Sequence, residues 1–519
     1  MTRTRTDVAA LAATWGLSEN KGIDDIIKMV NVQLDAAEPM AAMPSPVHPP
    51  THWRRSTPQD DPLNAVVRWC DLPPTGDGPL SGRTISVKDS ISVAGVPATC
   101  GYTGLEDFVP VAHATVVDRI LRAGGRVVAT TNMDCFGFAA SGETSSYGPT
   151  VNPNSAAHLA GGSSSGAAAA LSYPGIDMAV GCDQGGSIRI PAAWCGALGL
   201  KPTHGWVPYT GIAGIDQIID HAGPIARSVA DIATLMDVLV GRDDEDPRQP
   251  AQIPPPMFTR RVENARKSLA GLTIGVVDEA VDLTRQHGST EILDVFEQTL
   301  TQLQALGARI ERVSIPEHLT IAEAAFVCNI EGMASLLRSG GQGYGHLGRY
   351  DPLFSARLHS ALQNRALELS PQVKLAWLAG TTMSTTYGGA LYARARNQLA
   401  SQTATYELVF RSLDMLVMPT TPIAPLLAGD HANVEQVLER GWTMLGNTSP
   451  FNSTGMPALS MPVGRANGLP VGVMLAGPKG TDAELLEVAR LYEAEVGWKL
   501  GLERHVTTRD WSTGQCNSD

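Results

Sequence analysis

The sequence predicts an α/β fold, with a large mixed β-sheet core covered by helices and an N-terminal helical extension ahead of it. Three observations carry this expectation. Short β-rich runs alternate with amphipathic helical stretches from about residue 80 onward. The 519 residues exceed what one ordinary core organises. A Pro-rich tract separates the first helical stretch from everything that follows.

Residues 7–43 place Val8, Leu11, Ala12 and Trp15, then Ile26, Ile27, Val30 and Leu34, at helical spacing. Pro44, Pro46, Pro49, Pro50, Pro58 and Pro62 come next, and prolines at that density punctuate a chain. Residues 1–70 are therefore read as a helical extension with a linker, and 71–519 as the main domain. The extension serves either as a packing arm or as the contact of a homodimer. In the main domain, 84–87 is a β-rich run ending at Lys88. Val116, Val117, Ile120 and Leu121 mark a helix face closed by Gly124-Gly125, and 126–130 is the next strand. The same grammar returns with 272–277 as strand, Ile292, Leu293, Phe296, Leu300 and Leu303 as a helix face, and 309–315 as strand. Residues 320–445 read as mostly helical, a section that could cover a substrate.

Composition excludes several classes. With 43% hydrophobic and 18% charged residues, neither disorder nor membrane residence fits. The formal charge is −13 and no Lys/Arg-rich run occurs, so no nucleic-acid partner is expected. Apolar runs such as 167–171 fall short of a bilayer span, and residues 1–30 lack a secretory h-region. The seven cysteines (70, 100, 135, 182, 195, 328 and 516) are scattered and form no C-x-x-C pair. Neither a disulfide framework nor a zinc site is indicated, which suits a reducing cytoplasm. No cluster of His, Cys and carboxylates suggests a metal, and no organic cofactor is expected.

Two Gly/Ser clusters dominate the middle of the chain. The first is Gly161-Gly162-Ser163-Ser164-Ser165-Gly166, followed by an alanine-rich helix former. The second is Gly181-Cys182-Asp183-Gln184-Gly185-Gly186-Ser187-Ile188-Arg189-Ile190-Pro191-Ala192, entered from a strand near 178–180. A single Gly/Ser run usually means a flexible loop. Turns pinned between regular elements do something else, bringing backbone N–H groups close to a ligand because no Cβ intervenes. An oxygen nucleophile followed by an oxyanion needs this provision, and Ser187 after Gln184-Gly185-Gly186 supplies hydroxyl and donors within four residues. No histidine offers itself as the base. His158 and His204 lie in turn-like contexts that suit structural roles, and the chain lacks G-x-S-x-G at Ser187. A lysine made neutral by burial is the remaining candidate. Lys88 follows Ile85-Ser86-Val87 and precedes Asp89; local residues alone favour an exposed strand-end lysine paired with Asp89.

The pattern Gly-Gly-Ser-Ser, then Gly-x-Asp-x-Gly-Gly-Ser-Ile-Arg-x-Pro-Ala, resembles the amidase signature. So do Gly196-Ala-Leu-Gly-Leu-Lys-Pro-Thr203, Val87-Lys88-Asp89, the segment from His221 to Asp231, Asp414 to Thr420 and Asn452 to Pro462. The resemblance covers roughly residues 62–500. It implies a Ser–cis-Ser–Lys triad of Ser187, Ser163 and Lys88, with a cis Gly162–Ser163 peptide. It further implies an oxyanion hole from the N–H groups of Gln184, Gly185, Gly186 and Ser187, with Asp183 and Arg189 as structural support. Asp89 is then expected to point away from Lys88. Ser165 stands where the family usually has Gly, and Cys182 and Gln184 fill variable positions.

The second cluster, Tyr387-Gly-Gly-Ala-Leu-Tyr-Ala-Arg and the helical arm look similar to bacterial amidases linked to nitrile metabolism. The implied activity is hydrolysis of small aliphatic or aromatic amides to a carboxylic acid and ammonia or an amine, with anilides, esters and carbamates as further substrates. The alternative is the catalytic component of a glutamyl-tRNA amidotransferase complex, its A subunit, against which the N-terminal arm argues. A binding protein with a dead site ranks last, because all three triad positions are filled. Segments 135–141, 212–219 and 442–451 are expected to line the pocket.

Overall fold

A computed structural model describes residues 7–18, 22–41, 51–253, 255–429, 431 and 433–498. Much of the Pro-rich tract and Cys516 lie outside the described residues. The chain divides into two compact units, residues 1–47 and residues 48–519. Among the described residues the first holds two helices, Val8–Thr14 and Ile23–Ala41. Asp7 caps the shorter one, its carboxylate accepting from the N–H groups of Ala9 and Ala10. On the longer helix Ile26, Met29, Val30 and Leu34 share one face.

The second unit is built on a 12-stranded mixed sheet. Its strands run in the spatial order Trp53–Arg55, Val66–Leu72, Arg126–Thr131, Thr84–Lys88, Met178–Asp183, His221–Ala226, Leu198–Lys201, Ala458–Ala466, Leu469–Ala476, Met415–Pro419, Thr273–Val277 and Arg309–Val313. Two parallel groups flank an antiparallel centre. Thr84–Lys88 lies parallel to both its neighbours, and so does Thr273–Val277. Helices cover the sheet, and parallel strands with both faces covered are apolar throughout. Met178–Asp183, parallel to Thr84–Lys88, has every residue buried, and so does Leu469–Ala476 in the antiparallel centre.

The expected boundary at residue 70 is corrected. Trp53–Arg55 and Val66–Leu72 are sheet strands, paired antiparallel with Trp53 opposite Cys70 and with Val66 opposite Thr131 on the next strand. Pro58 and Pro62 therefore punctuate a connection between paired strands, not a linker. Asp61 holds that connection, accepting from the N–H groups of Ala65 and Val66 and from the Tyr173 hydroxyl.

Residues 320–445 are mainly helical, with Pro352–Arg365, Pro371–Tyr387 and Ala390–Val409 following the long helix Glu317–Arg338. They also contribute one strand, Met415–Pro419, to the sheet. Glu317–Arg338 is long and apolar enough by length and composition to cross a membrane, which corrects the expectation that nothing in the chain approaches a span. In the fold it packs against Pro371–Tyr387 and Ala390–Val409 in the manner of a core helix.

Candidate active site

The functional side chains stand where strands give way to turns. Lys88 closes Thr84–Lys88, opposite Thr131 on one side, while Val87 faces Val180 on the other. Hydrophobic strands on both flanks leave the amine only 1% exposed. Burial lowers its pKa below the ordinary 10.5, although Cys182, Asp134 and Asp183 pull the other way. Asp89 does not serve as its partner. One Asp89 carboxylate oxygen accepts from the Thr99 N–H at 3.0 Å and from the Thr99 hydroxyl, and the other faces Arg68 at 3.6 Å. Lys88 Nζ lies 2.7 Å from Ser163 Oγ and 3.5 Å from the Cys182 carbonyl oxygen.

The Gly162–Ser163 peptide is cis. The serine turn is stitched to both neighbouring strands' ends. Asp134 N–H donates to the Ser163 carbonyl at 3.2 Å, Ser164 N–H to the Ser187 carbonyl at 3.1 Å, and Ser164 Oγ to the Cys182 carbonyl at 3.0 Å. Asp134 was not anticipated from sequence. Its carboxylate accepts from Gly142 N–H, Thr144 N–H and the Thr144 hydroxyl, at 2.8–3.0 Å. A Cβ on Gly162 would fall 2.0 Å from this carboxylate, so the position admits only glycine. The one sequence signal for Asp134 is its place after the strand ending at Thr131, upstream of the first glycine cluster.

Ser187 sits in the turn between strand Met178–Asp183 and helix Arg189–Cys195. Among the described residues, the N–H groups of Gln184, Gly185, Gly186 and Ser187 donate to no protein acceptor, while three of the turn's carbonyls are engaged. Gly185 C=O accepts from Thr448 Oγ1 at 2.6 Å, Gly186 C=O from Ile190 N–H at 2.7 Å, and Ser187 C=O from Ser164 N–H. A turn with its carbonyls satisfied and its N–H groups open suits a negative oxygen. Gly186 is required here, since a Cβ would meet Thr448 Oγ1 at 2.3 Å.

Asp183 and Arg189 brace this turn as a fully buried pair, with Arg189 Nε and Nη2 donating to the two carboxylate oxygens at 3.0 and 2.9 Å. Burial alone would raise the Asp183 pKa, but Arg189 beside it and the N–H of Ile188 hold it down at about 2. Arg189 also donates to Thr448 C=O at 2.8 Å and Asn452 Oδ1 at 2.6 Å, and Asn452 Nδ2 donates to the Asp183 carboxylate at 2.8 Å. Thr448 and Asn452 thus clamp the turn from the far end of the chain.

All three expected lining segments reach the site. A Cβ on Gly137 would lie 3.3 Å from Ser163 Oγ and 3.9 Å from Ile215, and one on Gly185 would lie 3.2 Å from Leu445. Trp442 stacks edge-on with Phe138 and Phe326. His158 is engaged with Ser155, and His204 with the Gln217 carbonyl.

With this geometry in view, comparison with known proteins is decisive at the family level. A family model described as Amidase matches residues 74–486. The A subunit of the glutamyl-tRNA(Gln) amidotransferase from Natronomonas pharaonis is 36% identical over 426 residues, 82% of this chain and 98% of that protein. An enantioselective amidase of Rhodococcus rhodochrous is 37% identical over 459 residues, 87% of each chain. Among solved structures, the corresponding amidotransferase component of Thermotoga maritima superposes with a TM-score of 0.66 at 28% identity, covering 84% of this chain and 88% of that one. The peptide amidase of Stenotrophomonas maltophilia gives 0.66 at 29%, covering 80% and 83%. The chain is a member of the amidase signature family, and its fold is that of the family's enzymes.

Proposed function

We propose that this enzyme cleaves the C–N bond of a carboxamide by forming an acyl-enzyme on Ser187. The observation that carries the reading is the 2.7 Å approach of a buried, pKa-depressed Lys88 to Ser163, beside a turn of open N–H donors that holds Ser187. Neutral Lys88 takes a proton from Ser163, which takes one from Ser187 as that oxygen attacks the carbonyl. The oxyanion settles on the N–H groups of residues 184–187. Ser163 passes a proton to the leaving nitrogen and regains one from Lys88, and water then hydrolyses the ester. Hydrogen bonds of such a relay tighten when substrate binds.

Two finer readings share this chemistry. The catalytic component of a glutamyl-tRNA amidotransferase has the wider support among relatives: two proteins of that name match this chain over 98% and 99% of their own length. That match leaves about a fifth of this chain without a counterpart in the relative, so the N-terminal arm still counts against this reading. In that reading the chain works within a complex of several proteins.

The second reading is a stand-alone amidase for small uncharged amides. Ile215 and Leu445 at the triad's edge, with Phe138, Phe326 and Trp442 stacked nearby, suit an apolar acyl group better than the charged ends of glutamine. The matched Rhodococcus amidase also covers more of this chain. For the stand-alone enzyme, the apolar face of Ile23–Ala41 supports a homodimer, and Met29→Glu with a mass measurement in solution tests it.

Ammonia release by the purified chain from glutamine, acetamide and benzamide separates the two readings. Turnover of benzamide by the chain alone favours the amidase; glutamine turnover that requires added partner proteins favours the amidotransferase. Ser187→Ala should lower either activity about 10⁴-fold or more while the protein stays folded. Retention of a tenth of the rate would sink the acyl-enzyme assignment.

A further inference from the structure

The side chain of Gln184 has a role that its backbone does not explain. Its Nε2 donates to the Tyr209 hydroxyl at 2.7 Å, and that hydroxyl donates onward to Ala213 C=O at 3.3 Å. Because Tyr209 spends its one proton on Ala213, it acts as acceptor towards Gln184. Burial raises the pKa of the Asp220 carboxyl to about 7, and the Gln184 amide near it acts the other way, as a donor does. Both neighbours thus demand the Nε2 end, and the carbonyl end must point elsewhere. It ends beside Gly137, as the Ser163 hydroxyl does: a Cβ on that glycine would lie 3.7 Å from Gln184 Oε1 and 3.3 Å from Ser163 Oγ. There Gln184 Oε1 is buried without a hydrogen-bond partner. A buried acceptor left unpaired is costly and marks a place where a ligand donor belongs.

The chemistry at that place is known from the relay. Ser163 returns its proton to the leaving nitrogen, so that nitrogen stands near Ser163 Oγ. A carboxamide nitrogen that carries hydrogen has a donor to offer, whereas the leaving oxygen of an ester has none. We infer that Gln184 Oε1 accepts an N–H of the leaving amide nitrogen, and that this contact selects carboxamides bearing such a hydrogen over esters of the same acid. The inference rests on acyl transfer at Ser187. It concerns the Gln184 side chain, while the oxyanion contact concerns its backbone N–H.

The test compares a primary amide and the ethyl ester of one acid on the wild type, Gln184→Met and Tyr209→Phe. Methionine keeps the length and removes the acceptor. The ratio of amide to ester kcat/KM should fall about tenfold in Gln184→Met, the loss of one hydrogen bond. Tyr209→Phe, which frees the amide to turn over, should lower the ratio in the same direction by less. Ester turnover reports on whether each variant's site is folded. Equal loss on both substrates in both variants, or an unchanged ratio, overturns the inference and leaves acyl transfer standing. A wild type inactive on amide and ester alike sinks acyl transfer at Ser187, and this inference with it.

Discussion

Lys88 and Lys201 invite comparison because so much about them is alike. Each is the last residue of a sheet strand, Thr84–Lys88 and Leu198–Lys201. Each is almost wholly removed from water, at 1% and 0% exposure. In each, burial drives the pKa below 10.5. They differ in what the nitrogen touches. Lys88 meets the hydroxyl of Ser163; Lys201 meets the carbonyl of Pro202, 3.0 Å away. A carbonyl has no proton to surrender, so Lys201 cannot act as a base however well it is desolvated. The surrounding charges differ too. After burial, the Arg189 cation lowers the Lys201 pKa further, with Asp183 and Asp482 opposing it, whereas the charges around Lys88, from Cys182, Asp134 and Asp183, all oppose the shift. Burial makes a lysine neutral, and its partner decides whether neutrality is useful.

The largest effect that could break this contrast is at Lys88. Lys88→Ala should lower amide turnover by about 10²–10⁴-fold, as removal of a general base does. Lys88→Arg should be as harmful, since guanidinium stays charged. The wild-type rate should rise with pH through a limb below 10.5, because only the neutral amine accepts the Ser163 proton. An active Lys88→Arg enzyme with that limb intact would show that Lys88 merely positions its neighbours.

Next in size is the brace. Asp183→Asn leaves Arg189 charged and buried without its ion-pair partner, and should cost about 3–5 kcal/mol of stability. Chemical denaturation measures it. The wild-type Asp183 contribution should be complete above the unfolded value of 3.8 and lost as pH falls through about 2, the direction for a depressed carboxylate.

The smallest effect sharpens the comparison from the other side. Lys201→Met should leave kcat close to wild type. Below 10.5 the unfolded chain protonates Lys201, while the folded chain does so only below its depressed pKa. Wild-type stability therefore rises with pH between the two, by up to about 1.4 kcal/mol per unit per proton. The methionine variant should lose that slope, and denaturation at several pH values would reveal it. A collapse in kcat to the level of Lys88→Ala would mean that Lys201 belongs to the reaction.

The contrast also explains what the sequence could convey. Ser163 and Ser187 are legible because their glycines are local, and the backbone geometry they require is written within four residues. Lys88 was not legible from its own surroundings. The neighbouring Asp89 offered a plausible salt bridge, and only the fold reveals that Arg68 and Thr99 engage that carboxylate instead. Arg68 itself was hidden in a stretch assigned to the linker. The prolines at 58 and 62 looked like punctuation between domains, when the runs on either side pair with each other. The alternation of strands and helices was readable, but a mixed sheet's strand order depends on pairings far apart in sequence. Asp134 had no motif to announce it, since its function is to receive three hydrogen bonds from a loop that follows it.

The reach of Thr448 and Asn452 into the Ser187 turn has a consequence for how the enzyme comes into being. The triad residues are all synthesised by residue 187, yet the contacts that steady the turn come from 259 to 269 residues away along the chain. A ribosome-bound chain that has not yet released residue 452 carries every catalytic group and no finished site. Activity should therefore switch on late in translation. A premature stop between residues 203 and 448 should yield a protein with both Gly/Ser clusters intact that cannot hold its donors in place.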